Sequence, residues 1–356
     1  MTNKNILITG GAGFVGSSMA LQLKAKYPAY EIYVLDNLKR RGSELNIPRL
    51  KAVGIHFLHG DIRNKEDFDG LPKIDCILEA SAEPSVLAGI DSTPDYLINT
   101  NLSGTINCLN FATKNKSDFI FLSTSRIYPI ETIESIRYTE TATRFEIAEE
   151  QTIKGFSVNG ISEEFPLDKY RSLYGTTKLA SELFIQEYKQ FFGLRTVINR
   201  CGVLTGPWQM GKIDQGVVVL WLARHFWKQP LSYIGYGGTG KQVRDMLHTD
   251  DLFRLIDWQM HHLDAINGEV FNVGGGTEIS LSLREMTALC EKITGNTIPI
   301  QQVPENRTAD IRIYITDNSK VTDMTGWKPQ ILPEQIFSEI YTWIKENEQQ
   351  LAAILK

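Results

Sequence analysis

Short apolar runs that stop at glycine or at a polar residue alternate, over the first 200 positions, with stretches whose apolar residues recur at helical spacing. Positions 5–9 (NILIT) stop at Gly10, as a strand buried on both faces of a parallel sheet would. A glycine-rich stretch fills 10–16. The spacing of Met19, Ala20, Leu21 and Leu23 then predicts a helix over 17–26, and the run 32–35 ends at Asp36. Further strands are predicted at 55–58, 76–78, 118–122 and 195–199, and helices at 96–112 and from Lys178 to about Phe192. Strands alternating with helices imply an α/β fold with a doubly wound parallel sheet, whose ligands sit at the C-terminal ends of the strands. Beyond Pro207 the rhythm loosens and glycines multiply, although 271–273 (FNV) reads as a segment returning to the sheet.

Composition narrows the class. The 356 residues are 42% hydrophobic and 22% charged, which excludes a disordered or collagen-like chain. With 37 Lys+Arg against 42 Asp+Glu, no global positive field draws the chain onto nucleic acid. The apolar stretch 217–223 is far short of the roughly 20 residues of a membrane helix. The sequence also opens without the charged leader and apolar run of a signal peptide. Cys76, Cys108, Cys201 and Cys290 form no CxxC and read as buried small hydrophobes in a reducing compartment. The expectation is a cytoplasmic protein that binds neither nucleic acid nor membrane.

Gly10-Gly11-Ala12-Gly13-Phe14-Val15-Gly16 lies between a strand and a helix, and Asp36 ends the next strand twenty residues after Gly16. Gly10 permits a tight turn, Gly13 lets backbone N–H groups approach a pyrophosphate, and Gly16 lets helix and strand pack closely. A carboxylate at Asp36 accepts hydrogen bonds from an adenosine ribose and repels a 2′-phosphate, which predicts NAD. The cations Lys39-Arg40-Arg41 would favour NADP, but a charge run is more often a solvated loop. This Rossmann pattern assigns 1–199 to a dinucleotide-binding domain. Residues 200–356 read as a smaller C-terminal substrate-binding lobe with some segments returning to the first domain.

Tyr174 and Lys178 stand four residues apart, on one face of a predicted helix. The ammonium would favour the phenolate, as a general base requires. The strand end Ser123-Thr124-Ser125 supplies hydroxyls for the same substrate oxygen. His261-His262 does not suggest a metal site, because adjacent residues point apart on a helix and no third ligand is placed nearby.

These residues together resemble the extended short-chain dehydrogenase/reductase family of nucleotide-sugar epimerases and dehydratases. The resemblance rests on TGGAGFVG, on the YxxxK at 174–178 and on VRDMLHTDD at 243–251. It implies that Gly10, Gly13, Phe14, Val15 and Gly16 hold the pyrophosphate of NAD, Asp36 and Asn37 the adenosine ribose, and Asp61 and Ile62 the adenine. Asn101 would lie near the active-site strands. Thr124, Tyr174 and Lys178 would be catalytic, with Tyr174 and Lys178 also touching the nicotinamide ribose. Arg126, Arg244 and Arg307 would bind the nucleotide-sugar substrate, the last two clamping its diphosphate. The stretches at 36–43, 82–89, 123–129 and 206–212 are similar to the branch that acts on CDP-linked sugars, which implies epimerisation at C2 and a homo-oligomer. Ser125 and Arg126 stand where 4,6-dehydratases of the family carry an Asp-Glu pair, which argues against elimination of water. Glu79 stands where many relatives have histidine.

Overall fold

The computed structural model describes residues 3–90, 93–211 and 215–356. Lys212, the last residue of the stretch at 206–212 noted above, lies outside them. The chain divides into two compact units. One comprises Met1–Ile127, Leu173–Arg200 and Leu252–Phe271, and the other Tyr128–Ser172, Cys201–Asp251 and Asn272–Lys356.

The first unit is built on a seven-stranded parallel sheet. Its strands, in chain order, are β1 (Asn5–Thr9), β2 (Glu31–Asp36), β3 (His56–His59), β4 (Cys76–Glu79), β5 (Asp118–Thr124), β6 (Thr196–Cys201) and β7 (Val270–Val273). Their spatial order is β7-β6-β5-β4-β1-β2-β3. The order reverses between β1 and β4, so the crevice at the C-terminal ends of these two strands is the natural ligand position of a doubly wound sheet. Phe271-Asn272-Val273 does return to the sheet, in β7. Leu7, Leu35, Ile77, Phe119, Phe121 and Ile198 pack in one buried cluster with residues of the flanking helices. Fully burying side chains of this size contributes roughly 1.5–3 kcal/mol each.

Three helices matter for the site: α1 (Phe14–Lys26), α2 (Thr105–Asn115) and α3 (Leu173–Phe192). The single helix predicted over 96–112 is interrupted. An α-turn at Asp95–Ile98 passes into a π turn at Asn99–Gly104 before α2 begins. Periodicity alone does not show such a bulge, because a wider turn leaves the apolar spacing nearly unchanged.

The second unit corrects two expectations. It is not smaller than the first, and it does not begin at a single boundary near residue 199, since 128–172 belongs to it. That segment forms two short hairpins, Tyr138–Glu140 with Phe145–Ile147 and Phe156–Ser157 with Gly160–Ile161, too short to carry a readable period. Its attachment is tertiary: Asn272 donates to the Ile161 carbonyl and accepts from the Tyr128 hydroxyl at 2.7 Å. The glycines beyond Pro207 have a packing reason. Buried Asp245 accepts from the N–H groups of Gly276 (3.0 Å) and Thr316 (3.1 Å). A Cβ on Gly274 would lie 2.4 Å from the Asp245 carboxylate.

The turn between β1 and α1 is equally tight. A Cβ on Gly16 would lie 2.3 Å from the Gly10 carbonyl oxygen and 2.7 Å from the Gly11 Cα, both backbone atoms. Gly16→Ala must therefore move backbone, at a cost of about 1–3 kcal/mol. Thermal melts should show Tm lower by about 3–9 °C. An unchanged melt would mean that the turn is looser than this packing requires.

Candidate active site

The β1–α1 turn presents unsatisfied backbone donors. Gly10 has φ +63°, and its carbonyl accepts the Gly13 N–H at 3.0 Å. Helix α1 then starts at Phe14 without a side-chain cap and with no acidic residue in its first turn. The N–H groups of Phe14, Val15 and Gly16 precede the first available intrahelical acceptor, so this end of α1 is polarised to receive an anion. A Cβ on Gly10 would meet the Ala80 carbonyl at 2.8 Å, so the chain leaving β4 closes over the turn.

Asp36, at the end of β2, turns both carboxylate oxygens toward backbone. It accepts from the Ala12 N–H at 3.1 Å and from the Leu38 N–H at 2.8 Å. Burial pushes its carboxyl above the usual range, and these N–H groups oppose that shift. Beside it Asn37 donates to Asp61 at 2.8 Å. Sequence reasoning missed the partner of Asp61. Arg63 grips its carboxylate from Nε and Nη2, the latter at 2.6 Å, and lays its guanidinium 4.7 Å from the centre of the Tyr96 ring. Burial works to raise the Asp61 carboxyl, but Arg63 and Asn37 outweigh it and hold the group at about 2. Ile62 is buried, and a Cβ on Gly104 would collide with it. Uncapped helix donors, a turn that only glycine fits and a ribose-height carboxylate suit the pyrophosphate and adenosine of NAD.

The strand ends on the other side of β1 carry the reactive residues. Thr124 closes β5, and its hydroxyl accepts the Arg126 N–H at 3.2 Å. Arg126 is half-buried in the single turn that follows. Tyr174 and Lys178 lie on the first turns of α3, which packs against β5 and that turn. The tyrosine is 9% exposed and Lys178 only 1%. The Lys178 ammonium sits 3.9 Å from the centre of the Phe121 ring and 3.7 Å from Glu79. Asn101, turned inward on the π turn, accepts from the Glu83 N–H at 2.8 Å and donates to Thr177 at 3.2 Å, tying that turn to α3. Beneath, Ser123 donates to Glu182 at 2.5 Å and Arg200 pairs with the same carboxylate at 2.8 Å, all three buried. Thr124, Tyr174, Lys178, Asn101 and the glycine turn thus share one unit.

Arg244 and Arg307 belong to the second unit. Arg244 pairs with Asp310 at 2.9 Å and also donates to the backbone carbonyls of Val243 and Ile311. Arg307 is half-buried three residues before that aspartate. Nothing in the sequence marks Asp310 as the partner of Arg244, because the pairing spans 66 positions. His261 bonds to the Asp257 carbonyl through Nδ1, and His262 stacks on Trp258. Among the described residues no group of three His, Cys, Asp or Glu could hold a metal ion.

A profile described as the NAD dependent epimerase/dehydratase family matches residues 6–274. The chain belongs to that family. Its members are enzymes that use NAD on nucleotide sugars, and this chain is one of them. It is 31% identical over 350 residues to the CDP-paratose 2-epimerase of Salmonella typhi, covering 95% of this chain and 98% of that one. It is also 28% identical to a dTDP-glucose 4,6-dehydratase of Streptomyces antibioticus, over 96% and 93% of the two chains. Among solved structures, the dTDP-glucose 4,6-dehydratase of Streptomyces venezuelae, determined with NAD bound, superposes with a TM-score of 0.76 at 27% identity. That match covers 97% of this chain and 98% of the other.

The Asp61–Arg63 pair makes the adenosine side of this family site sensitive to acid. A folded carboxyl at about 2 lies below the ordinary value near 3.9. The stability it supplies is complete above that ordinary value and is lost as the pH falls through about 2. Melts recorded from neutral pH downward should show this loss, and Asp61→Asn should remove part of it. An acid profile identical to that of the unaltered protein would separate the pair from stability.

Proposed function

We propose that this enzyme inverts C2 of a CDP-linked 3,6-dideoxyhexose, converting CDP-paratose to CDP-tyvelose through a transient 2-keto sugar. The observation that carries this reading is the full-length similarity to the CDP-paratose 2-epimerase of Salmonella typhi. The end of β5 supports it, because Ser125 and Arg126 offer neither the acid nor the base needed to eliminate water at neutral pH.

NAD, when bound, supplies a two-electron acceptor that takes hydride from the sugar carbon and returns it. In this reading the N–H groups of the Gly10-to-Gly16 turn, with Phe14 and Val15, hold its pyrophosphate. Asp36 and Asn37 hold the adenosine ribose, and Asp61 and Ile62 flank the adenine. Lys178 and Tyr174 reach the nicotinamide ribose above Asn101. The Tyr174 phenolate takes the proton from the C2 hydroxyl and later returns it, and Thr124 donates a hydrogen bond to the same oxygen. Lys178, four residues on, favours the phenolate through its charge. Between the two proton transfers the keto sugar must turn its other face to the cofactor. The grip is therefore on the nucleotide, by Arg244 and Arg307, with Arg126 nearer the sugar; Arg244 must exchange Asp310 for phosphate when substrate arrives.

We also infer a cytoplasmic homo-oligomer. All four cysteines are free and buried, which suits a reducing compartment, and no helix among the described residues is long and apolar enough to cross a membrane. Helix α3 leaves Leu183, Phe184, Phe191 and Phe192 exposed, and a second copy would cover them.

Two measurements test the reaction. Tyr174→Phe keeps the ring and removes the proton-transferring oxygen, so turnover should fall at least about 10²-fold while NAD binding persists. Near-normal turnover would reject Tyr174 as the acid/base. CDP-paratose deuterated at C2 should give an epimer that keeps its deuterium at C2 without added NAD. Label that stays put when C4 is the carbon inverted would indicate a 4-epimerase. Free NADH would indicate a dehydrogenase, and loss of water a dehydratase. No turnover of any nucleotide sugar would leave a regulatory NAD-binding protein.

A further inference from the structure

The chemistry above leaves one buried carboxylate unused. Glu79 is the last residue of β4 and is fully inaccessible to solvent. In the sheet register it stands between Thr9 of β1 and Phe121 of β5. Its Oε1 accepts the Ser81 N–H at 3.1 Å and the Thr9 hydroxyl at 3.5 Å. Its Oε2 makes no hydrogen bond among the described residues and faces the Lys178 Nζ across 3.7 Å. A carboxylate so deeply buried needs an opposite charge, and the ammonium of Lys178 supplies it. The groups within reach are few. Thr9, the Ser81 N–H and the Phe121 ring carry no charge, and burial pushes the Cys108 thiol of α2 well above its usual range, so it is neutral. Lys178 is therefore the charged group that Glu79 answers to. Burial drives the Glu79 carboxyl upward and Lys178 pulls it back.

We propose that Glu79 is a positioning residue: it fixes the Lys178 ammonium against the Phe121 ring and, through its own negative charge, limits how far that ammonium favours the Tyr174 phenolate. The proposal rests on the reading of Tyr174 and Lys178 given above. A phenolate near an ammonium is stabilised by its full charge, whereas an ammonium already paired at 3.7 Å presents a reduced field. Tyr174 then keeps more of its proton at neutral pH and is correspondingly the stronger base when ionised. The exchange suits an enzyme that must both remove and return a proton at the same oxygen.

Glu79→Gln keeps the shape and the oxygen facing Ser81 but removes the charge. The acid limb of the kcat/KM profile should move to lower pH by about one unit. The ultraviolet absorbance of the Tyr174 phenolate, taken as the difference from Tyr174→Phe, should appear at correspondingly lower pH, a readout that needs no turnover. A role in packing alone would move neither, so an unmoved limb and absorbance, or a shift to higher pH, overturns the proposal. Should Glu79→Gln fail to fold, stability reads the same pairing. Lys178→Met strands a buried carboxylate and should lower Tm, and adding Glu79→Gln to it should restore most of the loss; no restoration overturns the proposal. Failure of the underlying reading looks different, because Tyr174→Phe would then keep its turnover whatever Glu79 does.

Discussion

An ammonium held out of water at the end of a parallel sheet constrains nearly everything around it. Lys178 is almost wholly buried, and taking such a charge from water costs several kcal/mol even after relaxation. The cost is met locally by the face of Phe121 and by the Glu79 carboxylate. Both partners come from neighbouring strands in register, so the sheet must be formed before the lysine has somewhere to go. The lysine in turn fixes the rotation of α3, and with it the side on which Tyr174 emerges. A second buried charge pair, Glu182 with Arg200, fastens the same helix to β6 and, through Ser123, to the end of β5.

Much of this frame is readable from the residues. The β1–α1 turn and Asp36 are local: strand, glycines, helix and carboxylate follow one another within thirty-two positions, and local order is what periodicity reports. The central sheet is legible for the same reason, since strands buried on both faces give plain apolar runs. Even the return of 270–273 to the sheet can be read from its apolar residues. By contrast, the place of 128–172 depends on contacts such as Tyr128 with Asn272, 144 positions apart, and two-residue strands have no period to read.

The site divides along the same line. Tyr174 and Lys178 announce themselves by their spacing, whereas what tunes them does not. Glu79 departs visibly from its relatives, yet its meaning appears only when β4 is laid beside β5 and α3. Arg63 stands two residues from Asp61, a spacing without significance in a strand or a helix. It becomes a grip because the chain turns there, and the turn is tertiary. Asp310 opposite Arg244 was equally invisible, and it gives the proposed phosphate clamp a resident competitor.

The π turn at Asn99–Gly104 has a consequence for how this stretch can change. In a plain α-helix, residues four apart drift by about 40° around the axis. The wider turn removes that drift, so Leu97, Asn101 and Thr105 all face inward. Past the bulge, Cys108, Leu109 and Ala112 continue the same buried side. Deleting one residue there would not merely shorten a helix. It would rotate all of α2 by about 100°, carrying its apolar side away from the sheet. The length of this segment is therefore a phase setting, far less free to vary in length than the surface loops that surround it.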